Sequence, residues 1–410
     1  MEEIYERCCG LDVHRDSITA CVMIGYGAQK RKIIKTFLTF TQDIRELANW
    51  LKSHEIIHVS VESTGIYWKP IFNIFEEQNF DICLVNAQHV KNVPGRKTDV
   101  KDSEWLCKLL KCGLLSKSFI PPRKIVRLRE ILRYRQKLVR ELSSGKNRLI
   151  KTLENANIKL STVFSDVFGL TAWIMISKLA NGETNPETLT AYIDPRCKSS
   201  KAEILKALQG TLQKEDKIML KKQMNHLNTL QDLIQDLEKE IEMQIKPFKE
   251  EVELLKTIPG IKDMAAMSII AEIGPDMNQF KSASHLSAWA GMCPGNNQSA
   301  GKIKSSRTRK GNVHVKVMLT QVAWAVSRTK QTYLGAKYRS LAPRRGKKRA
   351  IIAIGRKILV ICYHILKEKM PFYELGVDFL DKLEPERKAK YHIMRLEELG
   401  YHVISRKKID

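Results

Sequence analysis

Between Cys8 and Lys111 short β-branched or apolar runs alternate with stretches of helical spacing, and that order leaves few topologies open. Residues 8–13, 19–25 and 32–40 read as strands separated by short turns, one of them at Tyr26-Gly27. They suggest an antiparallel three-strand meander. Residues 42–53 carry Ile44, Leu47, Ala48 and Leu51 at helical spacing, with Thr41 as the candidate N-cap. A strand (IIHVSVE), a helix over 67–77, a second strand (DICLVN) and a helix over 100–111 follow. The stretch 87–98 between the last two holds Pro94-Gly95 and reads as a loop.

Three antiparallel strands, a helix, then parallel strands alternating with helices is the order of the ribonuclease H fold. An α/β domain of that class is expected over 1–118. Four carboxylates fall at telling places in it. Asp12 lies on the first strand and Glu62 at the C-terminal end of the fourth. Asp99 and Asp102, at i and i+3, share one face in the opening turn of the last helix. In that fold these positions converge on one edge of the sheet. The chain as a whole is strongly basic, with Lys+Arg 70 against Asp+Glu 45 and a formal net charge of +25. Such a surplus suits a polyanionic partner, since Lys and Arg neutralise phosphates and release counterions. Carboxylates set in apolar strings of a basic chain suit Mg²⁺, which takes oxygen ligands and supports phosphodiester chemistry.

A length of 410 residues implies two or three domains. The acidic start MEEIYERCCGLD lacks the pattern of a signal peptide. No apolar run is long enough to span a membrane, so a cytoplasmic protein is expected. The nine cysteines are scattered without a C-x-x-C. They read as reduced thiols rather than a zinc site, with Cys8 and Cys9 as small buried residues.

Residues 119–250 read as a helical connector. Leu128, Leu132, Val139, Leu142, Leu149 and Leu153 recur at near-heptad spacing on a basic background. Leu220, Met224, Leu227, Leu230, Ile234, Leu237, Ile241 and Ile245 repeat the pattern. An antiparallel hairpin and a dimerising coiled coil are both allowed. The stretch 160–215 is helical in flavour but broken by Asn181-Gly182, Pro186 and Pro195. From 251 to 378 a mainly helical domain is expected, entered through LLKTIPGIKDMAAMSIIAEIG, a helix-hairpin-helix-like string able to present backbone N–H groups to a phosphate. Residues 379–410 form a tail.

From Met277 to Lys367 there is no Asp or Glu at all. Lys302, Lys304, Arg307, Arg309 and Lys310 form one basic cluster, and Arg344, Arg345, Lys347, Lys348 and Arg349 another. An acid-free surface of that length is self-repelling unless it meets a nucleic-acid backbone. Residues 294–302 read as a flexible polar turn, and Ser299 on it, flanked by cations, is a candidate nucleophile. Ser305, Ser306 and Thr308 are rival hydroxyls.

The strings GLDVH, VESTG and KTDVKD, followed by LLKTIPGI, FKSASHLSAWAGMCP, NQSAGK and RKGN, closely resemble the DEDD transposases of bacterial insertion sequences. That family includes the Piv DNA invertase and the bridge-RNA-guided recombinases, and the resemblance covers residues 8–113 and 254–375. It implies a RuvC-like N-terminal domain, a coiled-coil connector and a C-terminal transposase domain. It implies that Asp12, Glu62, Asp99 and Asp102 are the Mg²⁺-binding tetrad and that Ser299 is the nucleophile of a covalent protein–DNA intermediate. It further implies DNA partners (element ends and target), a structured guide RNA, and a homodimer or tetramer with a composite active site. Two other functions fit the residues: a junction-resolving metal-dependent nuclease in which Ser299 only contacts phosphate, and a noncatalytic nucleic-acid-binding protein.

Overall fold

The computed structural model describes residues 2–63, 65–86, 90, 102–295, 297–299, 301–305, 307–383 and 385–404, with no account of the side chains of Asn297, Gln298, Ser299, Ile303 and Arg387. The chain divides into two compact units, Met1–Ile120 and Pro121–Asp410.

The first unit is a five-stranded sheet with helices on both faces. In chain order it contains β1 (Arg7–Val13), β2 (Ser17–Ile24), β3 (Arg31–Leu38), α1 (Thr41–Ser53), β4 (His58–Glu62), α2 (Trp68–Glu77), β5 (Asp81–Val85) and α3 (Asp102–Lys111). The strands lie in the order β3-β2-β1-β4-β5. The β1–β2 and β2–β3 pairs are antiparallel, and β1–β4 and β4–β5 are parallel. The expected meander is therefore present, and the later strands join its β1 edge through helical crossovers, as parallel pairing requires. Thr41 does not cap α1. Phe40 holds the cap position without a side-chain hydrogen bond, and Thr41 is the first helical residue.

Alternation along the strands sends side chains to two cores. Cys9, Leu11, Val59 and Val61 face one side with Ile44, Leu47 and Leu51 of α1 and Ile71 and Phe75 of α2. Cys8, Cys21, Met23 and Cys83 face the other with Leu106, Cys107 and Leu110 of α3. Helix α3 lies unusually close on β1. A Cβ at Gly10 would stand 2.2 Å from Ser103 O and 2.4 Å from Cys107 N. Ser60 Oγ donates to Cys9 O and Leu106 O at 3.3 and 3.2 Å, tying β4 to both neighbours. At the helix's other end the buried Lys111 Nζ donates to Tyr5 O, Glu6 O and Gly25 O at 2.8, 3.2 and 2.7 Å. All nine cysteines are free thiols, and Cys8 and Cys9 are fully buried. Among the described residues no helix is long and apolar enough to cross a membrane.

The second unit is helical apart from one small hairpin. It begins with α4 (Arg123–Asn155), followed by α5 (Leu160–Val163), α6 (Leu170–Ala180), α7 (Pro186–Thr190), α8 (Lys201–Ala207) and α9 (Lys214–Ile245). Helices α4 and α9 are the two amphipathic runs of the sequence, and they pack on each other within one chain. Arg135 pairs with Glu238, Gly145 backs on Leu227, and Thr152 Oγ1 meets Gln223 Oε1 at 3.2 Å. Residue numbers fall on one helix as they rise on the other, so the pair is antiparallel. Leu138, Leu230 and Ile234 form one seam, and Leu149, Leu153, Leu220, Met224 and Leu227 join the core covered by α5–α8. The breaks in 160–215 are helix boundaries with caps. Asn185 caps α7 ahead of Pro186, and Ser200 and Glu203 form a capping box on α8.

Then come α10 (Lys249–Lys256), α11 (Asp263–Ile273), α12 (Ala283–Trp289), β6 (Asn297–Ser299), β7 (Lys302–Ser305), α13 (Val313–Ser327), α14 (Tyr333–Arg345), α15 (Lys347–Glu368), α16 (Phe379–Leu383) and α17 (Pro385–Glu398). The α10–α11 turn has its glycine in the left-handed region, Gly260 at φ +86. A Cβ there would stand 2.7 Å from Val326 Cγ2 of α13, so close packing already accounts for the residue.

Candidate active site

Asp12 and Glu62 come together through strand register. β1 and β4 pair in parallel with Leu11 beside Val61, so Asp12 and Glu62 are the next neighbours at the C-terminal ends of adjacent strands. Adjacent strands lie about 4.8 Å apart, and register partners share a face. That face is the α3 face, because Cys8 and Gly10 on β1 and Ser60 on β4, two or four residues back, all meet α3. Helix α3 runs antiparallel to β1, with Cys107 against Cys8 and Ser103 against Gly10. Its first residue, Asp102, is therefore at the helix end nearest the strand ends that carry Asp12 and Glu62. The helix N-terminus favours carboxylates.

The Asp12 side chain is 28% exposed and meets His14 Nε2 at 3.3 Å. Glu104, the other acid of this turn, is committed elsewhere: Lys108 at 2.8 Å and Lys32 at 3.1 Å hold it below the ordinary carboxylate range. Asp12, Glu62 and Asp102 bring carboxylate oxygens to this edge, the kind of donor a hard divalent cation takes. Among the described residues no group of three or more His, Cys, Asp or Glu side chains is disposed to hold a metal ion. Asp99 lies outside the described residues. The structure thus places Asp12 and Glu62 on neighbouring strand ends and gathers no third carboxylate with them among the described residues.

Gly10 sets how closely α3 approaches this edge. Gly10→Ala would push a methyl group into the helix backbone, which cannot retreat as a flexible side chain would. We expect it to destabilise the first unit by about 1–3 kcal/mol or more, read as a lower urea midpoint, and to abolish activity with it.

Ser299 is in the second unit, and the expected flexible turn is instead a hairpin. β6 and β7 pair antiparallel with Ser299 opposite Lys302. Gly301 has φ +74, which a two-residue hairpin turn needs. Ser299 is therefore the last strand residue before a tight turn. The stalk below is zipped by Gly295 N→Arg307 O at 2.8 Å, Arg309 N→Cys293 O at 3.2 Å and a bridge between Pro294 and Thr308. At its base two glycines touch: a Cβ on Gly311 would stand 2.2 Å from Gly291 N. Of the rival hydroxyls, Ser305 ends β7 and Thr308 accepts from Lys316 Nζ at 2.7 Å, while Ser306 lies outside the described residues.

Lys302, Lys304, Arg307, Arg309 and Lys310 are all exposed along this hairpin and stalk. Arg344, Arg345, Lys347, Lys348 and Arg349 are exposed around the corner between α14 and α15, where Gly346 has φ +79.

A buried carboxylate missed by the sequence reading stands beneath the stalk. Glu272 of α11 is 4% exposed and accepts from Arg133 Nε and Nη2 at 2.7 and 2.8 Å. Asn312 Nδ2 donates to it at 2.6 Å. An acid inside the apolar run SIIAEIG was the available signal. Burial alone would push this carboxyl up, but Arg133, Arg129 and Asn312 together hold it below its ordinary value of 4.5. Burial pushes Arg129 down to about 10, so it stays charged at neutral pH. A depressed folded-state pKa gives stability that is full above about pH 4.5 and is lost as pH falls through the folded value. The second unit should lose urea resistance as the pH falls below about 4.5, and Glu272→Gln should flatten that loss.

Two family models match the chain. One, described as a transposase, covers residues 9–158, and one described as the transposase IS116/IS110/IS902 family covers residues 252–339. The first holds the carboxylate edge and the second the serine hairpin. The chain is also similar to the pilin gene-inverting proteins of Moraxella bovis and Moraxella lacunata. Each is 25% identical over 380 residues, spanning 88% of this chain and 96% of the relative. With a matched model on each unit and full-length relatives that invert DNA, the chain belongs to the IS110-type DEDD transposases, enzymes that act on DNA.

Proposed function

We propose that the protein inserts and excises its own mobile element by Mg²⁺-dependent strand cleavage and exchange through a serine–DNA intermediate. The observation that carries this reading is the pairing of two features in one chain. An Asp12–Glu62 carboxylate pair stands at parallel strand ends, and a serine stands at the tip of a hairpin lined with cations. The strand order supports a ribonuclease H-like, RuvC-like first unit. The antiparallel α4–α9 pair supports a coiled-coil connector between it and a transposase domain over 251–378.

Asp12, Glu62, Asp99 and Asp102 hold the metal in this scheme. The chemistry such a cation would supply when bound is neutralisation of phosphate charge and a lower pKa for a hydroxyl beside it. Ser299 Oγ attacks a backbone phosphorus: the Oγ–P bond forms, a bridging P–O bond breaks, and the proton passes to the departing oxygen. The hydroxyl end of a second strand then attacks the phosphoserine ester and restores the serine. The ester conserves the energy of the broken bond, which water attack would release. Lys302, Lys304, Arg307, Arg309 and Lys310 orient the backbone and stabilise the charge that develops on phosphorus. Arg344, Arg345, Lys347, Lys348 and Arg349 hold phosphate farther along.

Chemistry requires the carboxylates and Ser299 to meet at one phosphate, and a dimer or tetramer supplying them in trans satisfies that. The Moraxella relatives, named for gene inversion, support strand exchange over simple cutting. Resemblance to the bridge-RNA-guided recombinases supports a structured RNA as the source of target choice.

The test is to purify the protein, sequence the RNA that accompanies it, and assay recombination on element-end DNA. Recombined product should require both that RNA and Mg²⁺. Full activity after ribonuclease treatment would remove the guide from the scheme.

A further inference from the structure

We propose that Glu272 and Asn312 form a positioning device for the serine hairpin, clamping the base of its stalk to helix α4. Residues 290–312 leave the helical body after α12, form the β6–β7 hairpin, and return to α13. Asn312 closes this excursion with three of its groups. Its backbone N–H donates to Trp289 O at 3.2 Å. Its Oδ1 accepts from His314 N and Val315 N at 2.9 and 3.1 Å, capping α13. Its Nδ2 donates to Glu272 Oε2 at 2.6 Å. Glu272 passes the constraint on, because the guanidinium of Arg133 grips it with two bonds and Arg129 of the same helix donates to Ala271 O and Glu272 O at 2.8 and 2.9 Å.

Stabilisation alone is a poor reason for this arrangement. Buried ion pairs seldom gain more than they lose in desolvation, and apolar residues of the same volume often do as well. What a fully bonded buried carboxylate provides is fixed geometry. Gly311 and Gly291 press their backbones together one residue from Asn312, so any shift of Asn312 is transmitted to the stalk. A nucleophile displaced by about 1 Å loses roughly 10²-fold in rate.

The inference rests on the serine reading above and is tested so that the two can fail separately. Asn312→Ser keeps an N-capping hydroxyl for α13, since serine caps as well as asparagine, but cannot reach Glu272. Glu272→Gln keeps the volume and removes the charge. Three quantities are measured on the full-length protein: backbone hydrogen exchange, the DNA concentration for half-saturation, and the single-turnover rate of covalent adduct formation. Asn312→Ser should show faster exchange confined to 291–311, and both variants should show unchanged half-saturation and an adduct rate lower by roughly 10- to 100-fold. Glu272→Gln should also lower the melting temperature, because it leaves Arg133 and Arg129 without their carboxylate. Restoring the bond with Asn312→Gln, whose longer amide still reaches toward Glu272, should recover part of the rate lost in Asn312→Ser.

Unchanged exchange and unchanged rate in both variants would overturn the proposal. So would, in Asn312→Ser, faster exchange spread over the whole second unit with a parallel fall in melting temperature, which is a purely structural role. Localised exchange in Asn312→Ser, together with a wild-type protein that never forms an adduct, would leave the clamp standing and remove the serine reading instead.

Discussion

Asp12→Asn and Glu62→Gln are each expected to reduce recombination on element-end DNA by about 10³-fold while leaving DNA binding in place. Each substitution removes one unit of negative charge from adjacent strand ends and keeps the side-chain volume, so the sheet and the α3 packing survive. What is lost is the site for the cation. Charge stabilisation by a bound metal contributes several kcal/mol to a phosphoryl transition state, and about 4 kcal/mol corresponds to about 10³ in rate. Removing Mg²⁺ with a chelator should match the double variant, and adding it back should rescue only the wild type. Steady recombination in either single variant would mean that the carboxylate pair is structural.

Ser299→Ala is expected to have the larger effect. Without the hydroxyl no ester can form, and removing the nucleophile of a concerted site costs roughly 10⁶-fold in known cases. DNA binding should persist, because the exposed cations proposed to hold the backbone lie on β7, the stalk and the α14–α15 corner, apart from Ser299. The variant also separates two chemistries. A junction-resolving nuclease uses water, so its cutting would survive the substitution, whereas strand exchange through a phosphoserine ester would not.

Much of the first unit is legible in the chain. Apolar and β-branched runs mark β1–β3, the first two buried on both faces, and the helical spacing of Ile44, Leu47 and Leu51 marks α1. The carboxylate placement is readable as well: once strand order is known, parallel register brings Asp12 beside Glu62. Other features carry no such periodic mark. Gly10 looks like any glycine until α3 is seen against it, and Lys111 looks like a surface cation although it is buried on three carbonyls. The α4 and α9 heptads predict helices that pack, but heptad spacing does not encode direction, so the antiparallel pairing emerged only from Arg135–Glu238 and Thr152–Gln223.

The hairpin escaped for a different reason. Strands of three and four residues, NQS and KIKS, with Ile303 as their one apolar side chain, are too short to mark a strand. Their pairing is set by the stalk beneath, from Gly291 and Gly311 upward. The string RKGN illustrates both limits. As letters it marks a resemblance, while its physical content is a glycine that lets two backbones touch and an asparagine bonded to a buried carboxylate.

The central claim is that a serine carries the strand. Incubating the protein with element-end DNA, Mg²⁺ and its copurifying RNA, then denaturing, digesting and sequencing the DNA-linked peptide by mass spectrometry, tests it most directly. The expected product is a peptide bearing a nucleotide on Ser299, absent from Ser299→Ala. Strand cleavage with no protein–DNA link, or a link on Ser305, Ser306 or Thr308, would contradict the account.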